Sequence, residues 1–459
     1  MSYAARMRQA YPFKAASTSV DHLVIGGGVL GLSAAAGLVN TAGRGRTTFL
    51  VEKRNQLWQN TSQRKTDVIQ SGIYYPIGSL KSQLSIRGRH LLYDRCEALG
   101  IEHRKTQKLV VATSNSQIPY LDYLQGISVN ERLRQGTGVQ SSSQNDSSIP
   151  AYFLSGDDAR DMEPDLSPAV NGAVIMTETG ILDRRGLIQS LEKEVEEEEY
   201  LETPVGVGLG VGRRIRGKGD GRGHGMIVRG TRVVRIDADE KGGWVVQLES
   251  GWNGEEGVKG EIEAVRAQVV VNAAGVGGAE LTEGVRSECG RVPEEVVRGG
   301  YLLYTGPGVE NVSRIIHPCP TRHSDGVSAR LSIDLDGIIH FGPDLSFLSP
   351  ASQDPSDWPQ PSESDLQAIG QAIQDYLPNI DPSLLQPGYS ELRPAITHDG
   401  GIGDFMIRHT EDRTGLIELL GFDSPLTPAL AVGELVVDKV KKEIWRGGRQ
   451  VDELAKGWE

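Results

Sequence analysis

The chain has 459 residues, 24% charged and 38% hydrophobic, with a formal net charge of −13. That length predicts two joined domains rather than one simple core, and the acidic balance disfavours a nucleic-acid partner while suiting an enzyme for small molecules. Cys96, Cys289 and Cys319 have no metal-ligand spacing and are too few for a disulfide framework, so no metal site and a reducing compartment are expected. No run of about eighteen apolar residues offers a transmembrane segment.

The first twenty residues carry Arg6, Arg8 and Lys14 and no acid. That composition is shared by transit segments and by mobile termini, leaving cytoplasmic and mitochondrial locations open for residues 1–19. Next comes DHLVIGGGVLGLSAAAGL, Asp21 to Leu38, where His22–Ile25 reads as a buried strand and the small residues from Ser33 to Gly37 as a helix on a sheet. Gly26, Gly28 and Gly31 form G-x-G-x-x-G: a tight turn, a close approach to a pyrophosphate, and close helix packing, with the helix N-terminus facing phosphate. The second strand, TTFLVEK, ends at Glu52, about 20 residues after the last glycine, the spacing of an acid that grips ribose hydroxyls. An acid there favours FAD or NAD over NADP.

Further along, a helix is expected from near Leu80 to Leu99 and a strand at KLVVAT, Lys108–Thr113. A polar loop fills 135–150, and a helix from Leu187 to Tyr200 ends in a solvated run of glutamates. Glycines and arginines from 206 to 225 suit a flexible insertion. Strands follow at Gly230–Ile236, Trp244–Glu249 and Ala264–Val271, the last entering NAAG at 272–275. Tyr301–Pro307 and the Arg330–Asp344 pair, turning at Asp336 and Gly337, suggest an antiparallel sheet. After Pro/Ser punctuation at 350–361 comes a helix, Ser364–Tyr376.

The C-terminus helps choose between FAD and NAD. Thr414–Gly421 reads as a strand, Phe422–Leu426 as a tight loop, and Thr427–Lys442 as a helix with Thr427 as N-cap and Pro428 in its first turn. A second helix N-terminus suits a flavin, whose reduced ring carries negative charge at the N1 and C2 carbonyl edge.

The fingerprint, the stretch Thr61–Cys96 with its GIYYP, NAAG, DLDGIIHFGPD, ELRP and GLIELLGFDSPLTPALAV together resemble FAD-dependent oxidoreductases of the D-amino-acid oxidase superfamily. Within it the resemblance is nearest to the L-2-hydroxyglutarate dehydrogenase/oxidase group. It implies an α/β and α+β protein: a Rossmann-like FAD domain of discontinuous segments (20–105, 165–285, 390–450) plus a substrate domain on a large antiparallel sheet (106–164, 286–389). It also implies that Gly26, Gly28, Gly31, Glu52 and Lys53 hold the ADP half. Thr61, Ser62 and Arg64 would cross pyrophosphate and flavin, Val233 would meet adenine through its backbone, and Ala274 and Gly275 would lie by the cofactor. Ser424, Pro425, Leu426 and Thr427 would approach the ring.

Several positions nearest the chemistry depart from the group's pattern. Gln70 stands where a histidine is common, Lys65–Thr66 replaces Asn-Ser, and His317-Pro318-Cys319-Pro320 replaces Tyr-Pro-Val-Pro. Arg330 replaces a histidine, Glu391 a glycine, and the glycine after Ser-Pro is missing. Oxidising a 2-hydroxy acid needs hydride transfer to flavin N5 and a base for the hydroxyl proton, and Gln70 cannot take up that proton. Arg393 is the expected bidentate partner of a substrate carboxylate, Arg330 a second contact, His317 a replacement base, and Tyr75 a pocket hydrogen-bonder. The expected activity is FAD-dependent oxidation of a small carboxylate-bearing 2-hydroxy acid, with oxygen or another acceptor taking the electrons. Oxidation of an amine or amino acid, and a flavin-binding protein without catalysis, are the alternatives.

Overall fold

A computed structural model describes residues 3–41, 45–57, 66–129, 149–196, 222–251, 260–283, 285, 292–320, 329–348, 362–398, 401–409 and 415–445. It begins with helix α1 (Tyr3–Ala10), strand β1 (Thr18–Ile25), α2 (Val29–Thr41), β2 (Thr47–Val51), β3 (Thr66–Ile69) and α3 (Leu80–Leu99). Next are β4 (His103–Arg104), β5 (Lys108–Ala112), α4 (Ile118–Ser128), β6 (Ala151–Ser155), α5 (Gly156–Met162), β7 (Gly172–Met176), β8 (Gly180–Asp183) and α6 (Arg184–Glu196). After them run β9 (His224–Val228), β10 (Thr231–Ala238), β11 (Trp244–Ser250), β12 (Glu261–Asn272), α7 (Gly278–Glu283), β13 (Glu294–Tyr304), β14 (Ile315–Pro318) and β15 (Leu331–Ile333). The chain closes with β16 (Ile339–Leu348), α8 (Glu363–Gln374), β17 (Gln386–His398), β18 (Gly401–Ile402), β19 (Met406–His409), β20 (Leu416–Leu420) and α9 (Ala429–Glu443).

Among the described residues, eight strands make one mixed sheet whose parallel part runs β9, β2, β1, β12, β20. β10 and β11 add an antiparallel meander on the first half of β12, and β19 pairs antiparallel with β20. β1 is paired along both edges, by β2 and β12, and is buried on both faces, with Val24 in one core and Leu23 and Ile25 in another, which explains its unbroken Leu23-Val24-Ile25 run. α2 is buried from Val29 to Val39 because the sheet covers one side and α9 the other, so its small residues permit close approach rather than marking a surface. Leu32, Leu38, Leu50, Val269, Ile417, Val432 and Val436 form that core.

The second sheet has nine strands in the order β18, β17, β13, β16, β15, β14, β5, β7, β6, antiparallel except where β14 meets β5. β5 is covered on both sides: Leu109 and Val111 join a core under α8, while Val110 and Ala112 join one under α4. A small third sheet, β3, β8, β4, lies beside them.

The first strand begins four residues earlier than expected, at Thr18, since its edge pairs with β12 from Val265 onward. The helix expected from Leu187 starts at Arg184, and its end at 197–200 lies outside the described residues. The loop 135–150 falls outside them up to 148, while Ile149 is buried against Leu121 and Leu124. Residues 350–361 also lie outside. Of the Gly/Arg stretch, 222–225 lead into β9 and 206–221 lie outside. β7 and all of β17 belong to the nine-stranded sheet. Residues 11–14 are tied to the meander: the Tyr11 hydroxyl donates to Glu249, and the Lys14 backbone N–H donates to Gln247 at 2.7 Å. No described helix is long and apolar enough to cross a membrane.

Candidate active site

The turn between β1 and α2 is shaped by its glycines. Gly26 has φ +104°, and a side chain there would meet the Ala273 carbonyl oxygen at 2.5 Å. A side chain on Gly31 would come within 1.9 Å of the Gly26 carbonyl, so α2 can approach the turn only with glycine at that position. Gly28, by contrast, faces open space. It lines a cavity of ≈ 600 Å³ together with Val29 and Leu30, whose first-turn N–H groups have no partner within the helix. These features fit a pyrophosphate laid against the helix N-terminus. Glu52 sits beside the turn, accepting from Gly27 N–H at 2.7 Å and from Arg54 N–H at 2.9 Å. Lys53 lines the same wall, and burial lowers its pKa.

At the other end, Ser424 to Thr427 line the cavity where α9 begins. Thr427 is not the N-cap: Pro428 takes that place with no side-chain cap, and the Thr427 Oγ1 accepts the Gln70 backbone N–H at 3.0 Å. The hydroxyl is committed to another strand, which leaves the positive end of the helix open toward the cavity. α3 crosses this loop closely at Gly88. Lys81 pairs with Asp423 at 2.8 Å, and Asp404 accepts the Leu80 and Lys81 N–H groups at the start of α3.

Another wall comes from the nine-stranded sheet. Arg393 directs Nε and Nη2 to Glu391, and Nη2 also donates to the Tyr301 hydroxyl at 2.9 Å. Its fork is therefore already engaged, by the residue that stands where the group has glycine. Arg330 is exposed to the cavity, and its guanidinium has no hydrogen-bond or ion-pair partner among the described residues. His317 stacks on Tyr74, with Nδ1 3.2 Å from the Tyr74 hydroxyl. Burial, then the charges of Lys108 and Arg330, push its pKa well below 6.5, so the imidazole is neutral. Burial, reinforced by Asp423, raises Tyr75 to about 12, which keeps its phenol a donor. Gln70 accepts from Lys108 Nζ at 2.9 Å.

The structure thus gathers Gly26, Gly28, Glu52, Lys53, Gln70, Tyr75, Ala274, Gly275, His317, Arg330, Arg393 and 424–427 around one cavity. Gly31 packs behind the turn. Val233 does not line the cavity: its side chain joins the core with Trp244 and Leu248. Thr61, Ser62, Arg64 and Lys65 lie outside the described residues. Sequence reasoning missed Lys108, whose signal was a lone charge opening an otherwise apolar strand, and Tyr74, the first tyrosine of GIYYP. It also missed the pairings that neutralise the cavity carboxylates Asp67, by Arg184 at 3.3 Å, and Glu391. Among the described residues no group of acids, histidines and cysteines could hold a metal ion.

Residues 21–439 match the DAO family, described as FAD dependent oxidoreductase. The chain is 30% identical over 441 residues to the mitochondrial L-2-hydroxyglutarate dehydrogenase of Arabidopsis thaliana, covering 92% of this chain and 84% of that one. To the same-named protein of Pongo abelii it is 26% identical, covering 72% and 68%. Among solved structures it resembles the FAD-bound L-alpha-glycerophosphate oxidase of Mycoplasma pneumoniae, with TM-score 0.67, 20% identity, and 92% and 95% coverage. It also resembles a glycine oxidase of Geobacillus kaustophilus, with TM-score 0.65, 17% identity, and 95% and 100% coverage. A glycine turn fitted to pyrophosphate, a helix end facing the same cavity and this match across both sheets agree: the chain belongs to the DAO family of FAD-dependent oxidoreductases.

Proposed function

We propose that this oxidoreductase acts on a small 2-hydroxy acid bearing a second carboxylate, of the 2-hydroxyglutarate kind. The observation that carries the reading is the charge pattern of the cavity. Its carboxylates are held by partners: Glu52 by two backbone N–H groups, Asp67 by Arg184, Glu391 by Arg393 and Asp423 by Lys81. Arg330 is not so held among the described residues. A cavity with a cation to spare recruits an anion, and a guanidinium offers a carboxylate two parallel hydrogen bonds. The names of the relatives in Arabidopsis thaliana and Pongo abelii support the same class.

In this reading Arg330 takes one carboxylate, and Arg393, held in place by Glu391 and Tyr301, lies beside the other. Gln70 and Tyr75 donate hydrogen bonds. Gly26, Gly28, Gly31, Glu52, Lys53, Ala274 and Gly275 serve the ADP half, and 424–427 the ring. Bound FAD supplies the hydride acceptor at N5, with oxygen or another acceptor reoxidising it. Mitochondrial delivery by the basic N-terminus belongs to the same proposal, and a fluorescent fusion of residues 1–20 tests it.

Anaerobic mixing of the holoenzyme with L-2-hydroxyglutarate is expected to bleach the oxidised flavin. Bleaching by amino or N-alkyl amino acids alone would move the substrate class to amines, and bleaching by neither would leave a flavin-binding protein without this activity.

A further inference from the structure

Oxidation of a hydroxyl must place a proton as well as a hydride, and the residues facing the cavity near Gln70 are poor acceptors. Gln70 has no titratable group. His317 is held neutral with its pKa well below 6.5, while burial raises the pKa of Tyr74 and Tyr75, so both remain protonated. Behind Gln70 and Tyr74 stands Lys108. Its Nζ donates to Gln70 Oε1 at 2.9 Å and lies 5.1 Å from the centre of the Tyr74 ring. The side chain is fully buried, on the same strand face as cavity-lining Val110.

Titratable or charged groups near it come from three directions: Arg330 ahead of β15, His317 on β14, and Tyr74 after β3 with Tyr120 beyond it. No carboxylate among the described residues pairs with it. Burial and then the like charge of Arg330 bring its pKa down to about 7, so near neutrality the amine exchanges its proton readily. An acceptor with that property matches the working pH far better than the imidazole does. In its ammonium form Lys108 can only donate to Gln70, so the contact then holds Oε1 toward Lys108 and leaves the NH₂ end of the carboxamide for the cavity.

We propose that Lys108 is the proton acceptor of this site, an inference that rests on the 2-hydroxy acid reading. The substrate O–H bond breaks with its proton passing to Nζ. The C2–H bond breaks, and bound FAD would take its hydrogen and electron pair together as hydride. A C2=O bond forms, leaving a 2-oxo acid and an ammonium at Lys108, which returns its proton to solvent as product leaves. Access requires the half-buried Gln70 carboxamide to swing off Nζ while its backbone stays pinned by Thr427.

The test compares Lys108→Met, Lys108→Arg and Lys108→Ala holoenzymes in single-turnover flavin reduction by L-2-hydroxyglutarate. The wild-type rate is expected to rise with pH through about 7 and then level. Met and Arg variants should reduce about 10²- to 10⁴-fold more slowly without that limb, and a small primary amine should partly restore the Ala variant. The Arg variant should still bind 2-oxoglutarate as the wild type does, which separates proton transfer from charge pairing. Independently of turnover, the apoprotein stability of the wild type relative to Lys108→Met should climb between pH 7 and 10. An Arg variant at the wild-type rate, a wild-type rate flat from pH 6 to 9, or a flat stability difference overturns the proposal alone. A wild type that no 2-hydroxy acid reduces overturns the substrate reading and this inference with it.

Discussion

Gly88 offers a direct test of how the flavin end of the cavity is built. It lies inside α3, where alanine should be favoured by about 1 kcal/mol because glycine loses more backbone freedom and exposes more backbone. Yet a Cβ there would stand 2.0 Å from the Thr427 carbonyl oxygen and 2.9 Å from Thr427 C and Pro428 Cα. Those neighbours are backbone, so no rotamer change relieves the clash and α3 must move off the 424–427 loop by more than about 1 Å, an overpacking that costs roughly 1–3 kcal/mol. With the propensity gain deducted, Gly88→Ala is expected to destabilise by up to about 2 kcal/mol and to weaken FAD binding about tenfold, equivalent to ~1.4 kcal/mol. Urea unfolding and fluorescence titration of the apoprotein with FAD measure the two effects. Gly126→Ala is the control, for it sits in α4 with nothing within 4 Å of the added carbon and should stabilise by about 0.5–1 kcal/mol. If Gly88→Ala is stabilised like the control and keeps its FAD affinity, the close crossing does not set the ring site.

Gly31→Val drives a side chain into the Gly26 carbonyl and should yield protein that purifies without yellow colour, measured as flavin absorbance per chain. Arg330→Met should raise the KM for the carboxylate substrate about 10- to 100-fold, the equivalent of ~1.5–3 kcal/mol for a charged hydrogen bond, with flavin content unchanged. Glu391→Gln loosens the hold on Arg393 and should lower that KM by up to about tenfold, read from steady-state kinetics. The Lys108 amine titrates at 10.5 when unfolded and at about 7 when folded. The unfolded chain therefore binds the extra proton between those values, and the contribution of this group to stability rises with pH across that window by at most ~5 kcal/mol. Chemical unfolding of apoprotein and Lys108→Met at successive pH values measures it.

Much of the nucleotide half was legible because its requirements are local. Gly26, Gly28 and Gly31 stand within six residues of one another; Gly26 and Gly31 answer backbone constraints, and Gly28 leaves open space on the cavity. The order of the parallel strands was less legible, since β12 pairs with β1 at one edge and with β20 at the other across a long gap in sequence. Around the rest of the cavity the sequence named many of the residues that meet, but not their state. Arg393 reads as a carboxylate clamp until Glu391, two residues away on the same strand, is seen occupying it. Lys108 reads as a strand boundary, because burial and an arginine brought in beside β15, two strands away, are tertiary facts. Thr427 looked like a cap, and only the position of Gln70 diverts its hydroxyl.

The contact between the Gln70 backbone and the Thr427 hydroxyl joins portions of the polypeptide 357 residues apart, the second made long after the first. While the ribosome is still adding residues before β20 and α9, the emerging chain has its glycine turn but not the loop and helix end that line the same cavity. Cofactor capture must then be a late event. A nascent chain stalled short of residue 429 should hold an adenine nucleotide loosely at best and should depend on chaperones to shield the unfinished face of the parallel sheet.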